Sequence, residues 1–299
     1  VRVFVTGATG AIGGHVVPAL LAAGHEVTAL ARTPEKARGL AALGAVPSEV
    51  SLFDRAALTE AVAGHDAVAN LATAIPTPST FLRASAWAAN ERVRREGSAA
   101  VAAAVRAAGV GRLVQESITF LYPDRGAEWI DEDVAPDPFP LAEANLAAEA
   151  NARGVGNSVV LRFGLFYGPG SGHTDLLLRL ARRRTAFVAG PPRAYLSSIH
   201  LADAASAVVA ALDAPAGLYD VVDDEPVTRR DYAAALGEAV GRRPLLSLPG
   251  RAAVLAGGAA GSLVRSQRVS NRRLRTATGW APGFPSVRDG LLAAAGVPR

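Results

Sequence analysis

The chain opens on an apolar run, "VRVFV", which gives way to the glycine turn "TGATGAIGG" (residues 6–14). There follows "HVVPALLAAG", whose apolar positions recur at helical spacing. The same alternation of short apolar run and helical stretch continues through the first half. It predicts strands at Arg2–Thr6, Glu26–Ala31, Ala67–Leu71, Arg112–Glu116 and Ser158–Arg162. Between them it predicts helices at Gly13–Ala23, Pro34–Leu43, Ala56–Ala63, Ala86–Ala108 and Leu141–Ala152. Strands of this kind separated by helices make βαβ units around a parallel sheet. Later, a strand at Tyr195–His200 leads into a helix at Ala202–Leu212, and Leu218–Val222 leads into Thr228–Val240, with Thr228 as its expected cap. Pro/Gly clusters at "YGPGSG" (167–172) and "AGPPR" (189–193) interrupt the repeat. The expected fold is α/β, with a doubly wound parallel sheet from residues 1–165 plus 195–216. Residues 166–194 plus 217–299 are expected to form a small α+β C-terminal lobe.

Composition narrows the chemistry. At 299 residues, 50% apolar and 19% charged, the chain has the make-up of a globular domain with a substantial core. It has no cysteine, which excludes disulfides, thiolate metal sites and cysteine nucleophiles. The five histidines are scattered, so no metal site is expected. The first residues read as a strand rather than a leader, and the weakly polar run Ala252–Val264 is too short to cross a bilayer. A cytoplasmic protein without membrane contact is the expectation. The net charge of +4 rests on 31 cationic side chains, of which one, Lys36, is a lysine. The arginine runs 182–184, 229–230, 242–243 and 272–275 are mixed with acids and read as solvated faces, so no nucleic-acid partner is expected.

The glycine turn carries the clearest chemistry. Gly7, Gly10 and Gly13 have the G-x-x-G-x-x-G spacing between a strand and an apolar helix. Gly7 suits the tight turn, Gly10 lets backbone approach a pyrophosphate, and Gly13 lets the helix lie close on the strand. Thr9, Ala11 and Ile12 complete the loop. Nineteen residues beyond Gly13 stands Arg32, where an acid would read a free ribose 2′-hydroxyl. An arginine there pairs with a 2′-phosphate, and Lys36 adds a second charge one turn on. The expected cofactor is therefore NADPH in preference to NADH.

Further landmarks follow in order: "DAVANLAT" (66–73), "GVGRLVQES" (109–117), "VVLRFGLFYGPG" (159–170), "SSIHLADAASAVVAAL" (197–212), "LYDVVDDEPVTRRDYAAALGEAVGRRP" (218–244) and "TGWAPGFPSVRDGL" (278–291). Together with the glycine loop they resemble the extended short-chain dehydrogenase/reductase superfamily, the NAD(P)-dependent epimerase/dehydratase group. The resemblance implies a Rossmann-type sheet domain, a small lobe closing over a small-molecule substrate, and dimerisation through the helices Ala86–Ala108 and Leu141–Ala152. It also implies cofactor contacts from Leu52, Leu71, Ala72, Thr73 and Ser117. The family's proton-transfer pair is Tyr-x-x-x-Lys, on the helix that here reads "LAEANLAAEA" (141–150). Aligned through Glu149, that pattern puts Leu141 at the tyrosine and Asn145 at the lysine. Leucine transfers no proton and asparagine carries no charge.

The remaining candidates are hydroxyls and a histidine. Ser117 and Thr119 flank Ile118, which stands at the family's catalytic hydroxyl, and His173 can titrate near neutrality. Asn145 is retained as a cofactor contact. For substrate, the candidates are Trp87, Asn90, Arg94 (at a position where the family has asparagine), Tyr122 and Tyr167. The resulting expectation is an atypical NADPH-dependent reductase of a small, aromatic or polyketide-like carbonyl, enone or quinone. Two alternatives stand beside it: an NADPH-binding sensor of the NmrA-like kind, and a cyclase or isomerase that uses the cofactor as scaffold.

Overall fold

The computed structural model describes residues 1–77, 80, 81, 83–186, 188, 190–242, 246, 247 and 264–296. The predicted apolar run Ala252–Val264 thus falls outside the described residues except for Val264, as do Arg243 and Ala189. Among the described residues no helix is long and apolar enough to cross a membrane.

The main sheet is parallel. Its strands in chain order are β1 (Arg2–Thr6), β2 (Glu26–Leu30), β3 (Val46–Ser48), β4 (Ala67–Asn70), β5 (Arg112–Ile118), β6 (Ser158–Phe163) and β7 (Gly217–Val221). They lie in the spatial order β7-β6-β5-β4-β1-β2-β3. The order reverses between β1 and β4, and in an open α/β sheet ligands bind outside the strand ends at such a switch point. Among the described residues the helices are α1 (Gly13–Ala22), α2 (Pro34–Ala42), α3 (Arg55–Val62), α4 (Ala88–Arg92), α5 (Ser98–Ala108), α6 (Glu143–Arg153), α7 (Gly172–Arg182), α8 (Leu201–Ala210), α9 (Arg229–Ala239), α10 (Arg272–Thr278) and α11 (Val287–Ala294). One apolar layer joins the sheet to α1 and α8, and a second joins it to α3 and α5. Alanines along the buried face of α5 let α3 and α6 approach it closely. A third apolar cluster, built on Tyr167, Leu177, Tyr232, Leu236 and Leu291, joins α7, α9 and α11.

Four expectations need correction. The boundary expected before residue 217 falls on the wrong side of a strand: Gly217–Val221 pairs with β6 and forms the edge of the main sheet. The single strand expected over Tyr195–His200 is two, Tyr195–Leu196 antiparallel to Val227–Thr228 and Ser198–His200 parallel to Leu165–Tyr167. Ser197 divides them because its Oγ donates to the Gln267 carbonyl at 3.0 Å and accepts from Val269 N at 2.9 Å. The long helix over 86–108 is not uniform either. Residues Ala84–Trp87 form a 3-10 turn and Val93–Gly97 form a π-turn between α4 and α5. Finally, the helix predicted from Leu141 begins with a 3-10 turn at Pro140–Ala142, and α6 proper starts at Glu143.

Candidate functional site

The glycine loop forms a cradle at the end of β1. Gly7 has φ +68°, and a Cβ there would overlap the Leu71 carbonyl at the end of β4. A Cβ on Gly13 would overlap the Gly7 carbonyl, so α1 can start this close to β1 only with glycine. Gly10 N donates to the Gly7 carbonyl at 2.9 Å and fixes the turn. No side chain caps α1, and the amides of Ala11, Ile12 and Gly13 make no backbone bond outside the helix among the described residues. Thr9, Gly10 and Ala11 are exposed along the rim. An uncapped helix start with free amides suits an anion such as a pyrophosphate.

At the end of β2, Thr33 caps α2 by accepting from Lys36 N at 3.3 Å. Arg32 is exposed and Lys36 half-buried, and neither is ion-paired among the described residues. Both cations thus stand at the edge where the adenosine ribose of a bound dinucleotide is read. Leu52 packs on Gly97 of the π-turn, and Leu71, Ala72 and Thr73 continue from β4 past Gly7. Asn90 Oδ1 accepts from Ala74 N at 3.1 Å and holds this segment.

A buried polar chain crosses the sheet beneath the cradle. Thr6 Oγ1 donates to Asn70 Oδ1, and Asn70 Nδ2 donates to Gln115 Oε1 at 2.8 Å. Gln115 Nε2 then donates to the Glu116 carbonyl at 2.9 Å, which also accepts from Arg94 Nη1 at 3.0 Å. The Arg94 Nη2 group donates to Glu116 Oε1 at 2.9 Å. This corrects the reading of Arg94 as a substrate ligand: it is 2% exposed and committed to a carboxylate from β5. Burial pushes the Glu116 carboxyl above its ordinary range, with the guanidinium opposing.

A second network occupies the α6 side. Ser117 Oγ donates to Glu149 Oε1 at 2.7 Å, and Arg162 donates to both Glu149 oxygens at 2.8 Å. Glu149 is fully buried. The Arg162 guanidinium lies 4.8 Å from the Tyr122 ring centroid, and the Tyr122 hydroxyl donates to Asp220 at 2.9 Å. Tyr122 is therefore a buried structural residue, its phenol held well above the ordinary range by desolvation and by Asp220. Tyr167 is likewise buried, with its hydroxyl donating to the Ser286 carbonyl at 3.1 Å. Neither tyrosine presents surface to a substrate.

The two hydroxyls beside Ile118 part company. The Ser117 proton is held by Glu149, so Ser117 can accept from a ligand but not protonate one. Thr119 opens the 3-10 turn after β5, and its hydroxyl makes no hydrogen bond among the described residues. His173 sits exposed in the first turn of α7, and Trp87 is tied through its indole N–H to the Phe81 carbonyl at 2.8 Å.

Asn145 shares the face of α6 that carries Glu149, one turn nearer the strand ends. It is 3% exposed, and its Nδ2 is buried without a hydrogen-bond partner. A buried amide donor left open costs about 1–3 kcal/mol. Its place beside β5 suits a ribose hydroxyl, so the residues present fit a nicotinamide dinucleotide along its length. Of these positions, the Arg94–Glu116 pair escaped the sequence reading. The available signal was a glutamate inside the apolar strand "RLVQESI", since a carboxylate buried in a sheet needs a partner.

The chain is similar to known proteins along nearly its whole length. A family model described as NAD(P)H-binding matches residues 7–215. A 3-diazoavenalumate denitrifying reductase of a Streptomyces species is 36% identical over 314 aligned positions, spanning 97% of this chain and 99% of that protein. The human epimerase family protein SDR39U1 is 30% identical, spanning 97% of this chain and 98% of that one. A crystal structure of human SDR39U1 (isoform 2) with NADPH superposes with a TM-score of 0.85, covering 99% of both chains. The chain therefore belongs to the NAD(P)H-binding family, as an atypical extended short-chain dehydrogenase/reductase with a Rossmann-type sheet, and its one lysine, Lys36, has arginine rather than tyrosine four residues ahead.

Proposed function

We propose that this protein is an NADPH-dependent reductase of electrophilic aromatic substrates that accept a hydride without needing a proton from the enzyme. The observation that carries the reading is the pair Leu141 and Asn145 on the segment where the family's Tyr-x-x-x-Lys acid would stand. Bound NADPH supplies a hydride. Reduction of a simple ketone also consumes a proton at oxygen, which a positioned acid must deliver. A quinone or enone eases that demand because its reduced form is a stabilised phenolate or enolate. An arenediazonium removes it: hydride adds to the terminal nitrogen, the N–H hydrogen passes to the ring carbon, and the C–N bond breaks to release N₂. The sum is ArN₂⁺ plus NADPH giving ArH, N₂ and NADP⁺, with no net proton consumed.

The resemblance to a 3-diazoavenalumate denitrifying reductase along the whole chain favours the diazo substrate over the quinone. In this reading Gly7, Gly10 and Gly13 hold the pyrophosphate, and Arg32 and Lys36 select the 2′-phosphate. Asn145 donates to the nicotinamide ribose, and Thr119, whose hydroxyl makes no hydrogen bond among the described residues, offers that hydroxyl to the substrate. Two measurements test it. Titration by intrinsic tryptophan fluorescence should show tight NADPH and weak NADH binding, with the preference lost in Arg32→Ala. Incubation with NADPH and a benzenediazonium salt should release one N₂ per NADPH oxidised. NADPH oxidation without N₂ release, or reduction of quinones alone, would overturn the diazo assignment.

A further inference from the structure

The geometry points to Asn145 as a specificity-determining residue that keeps the nicotinamide end of the site free of fixed positive charge, so that the substrate accepted is a cation. The inference rests on the reading of the site as an NADPH-dependent reductase and deepens it. Three observations support it. Asn145 is buried on the face of α6 that leads toward the strand ends, and its amide nitrogen has no partner. A neutral donor there can hold a ribose hydroxyl without adding charge. Next, the buried arginines on the neighbouring elements are each matched by a carboxylate: Arg94 by Glu116 and Arg162 by Glu149. Those pairs leave no net positive charge beneath the end of β5. Third, Arg32 and Lys36, which make no ion pair among the described residues, stand at the end of β2, two strands from β4 in the sheet.

A lysine at position 145 would reverse this. Two like charges a few ångströms apart in a partly dry site repel enough to change an affinity roughly tenfold to a hundredfold. A neutral substrate of the same shape feels almost none of it. The geometry thus separates charge from size.

The test uses phenyltrimethylammonium and its neutral isostere tert-butylbenzene, neither of which can be reduced, binding to the NADPH-loaded protein. Calorimetry should show wild type binding the cation at least as tightly as the isostere. Asn145→Lys should lose tenfold or more on the cation and less than threefold on the isostere. Asn145→Met, neutral and of lysine's length, should retain the cation but weaken NADPH about tenfold through loss of the amide donor. Exclusion of the cation by wild type, or equal effects of Lys and Met on the two probes, would overturn the inference. Because no turnover is read, these outcomes are independent of whether a diazonium salt is reduced. A protein that binds the cation yet releases no N₂ would sink the proposed reaction and leave the role of Asn145 standing.

Discussion

Ser117 on β5 and Glu149 on α6 are joined by a 2.7 Å hydrogen bond in which the serine is the donor. A hydroxyl engaged in this way stabilises the strand–helix contact and has no proton to spare. Ser117→Ala should accordingly lower stability by about 1.5–3 kcal/mol, the range for a hydrogen bond to a charged group, while leaving the rate of hydride transfer within a few fold. Urea melts and single-turnover NADPH oxidation would show the split. A large rate loss at unchanged stability would restore Ser117 as a catalytic residue. Thr119→Val gives the contrast, with unchanged melting and a loss of kcat of about tenfold.

The Arg94–Glu116 pair makes a sharper stability prediction. Arg94→Met leaves a carboxylate uncompensated in the sheet and should cost about 3–5 kcal/mol. Arg94→Met combined with Glu116→Leu should recover most of that loss, because the pair and its apolar replacement are close in free energy. Chemical denaturation of the two variants decides it. If the double variant is as unstable as the single, the pair is contributing more than mutual neutralisation.

Gly13→Ala should bind NADPH at least a hundredfold more weakly, since the new methyl meets the Gly7 carbonyl and must push α1 off the cradle. Fluorescence titration measures the affinity, and circular dichroism checks that the sheet persists.

The pH dependence of stability has a component from His200. Its Nδ1 accepts from Ala202 N at 3.2 Å, capping α8, and burial, assisted by repulsion from His15, pushes its pKa down to about 4. An unfolded histidine titrates near 6.5, so between those values the unfolded chain binds the extra proton. The contribution is complete above pH 6.5 and is lost as pH falls toward 4, by about 3 kcal/mol in all. Buried Asp203 and Asp223, raised by desolvation, act in the opposite sense. The measurement is therefore the difference between wild type and His200→Gln across that range. A flat difference would mean that His200 titrates in the folded protein as it does in the unfolded chain.

The strands and helices flanking the glycine loop were legible in sequence because apolar runs and a 3.6 period agreed there, and farther on Thr228 marked the start of α9. The edge strand Val46–Ser48 was not legible, since it is short, largely exposed and carries a proline, and so lacks an apolar run. Pairing decided the rest. Gly217–Val221 joins the sheet because β6 offers an edge, and Ser197 splits a predicted strand through bonds to residues seventy positions away. The dinucleotide loop and the leucine and asparagine at 141 and 145 could be read from the sequence. The fates of Arg94, Tyr122 and Tyr167 could not, because polar side chains predicted for a cleft were absorbed by buried partners that only the fold brings near.

The π-turn at Val93–Gly97 has a consequence in the arithmetic of insertion and deletion. Such a turn holds one residue more than the helix around it needs. Removing one residue from it would give an unbroken α-helix of better local geometry. Because the surplus residue is taken up within one wide turn, α4 and α5 would keep nearly the same phase, and the loss would fall on the side chains the turn itself carries, Arg94 among them. Sequence length here is thus tied to the residues of the turn itself: a deletion that removes Arg94 leaves Glu116 without its partner, whereas one of the same size within α5 would turn the side chains beyond it by about 100°.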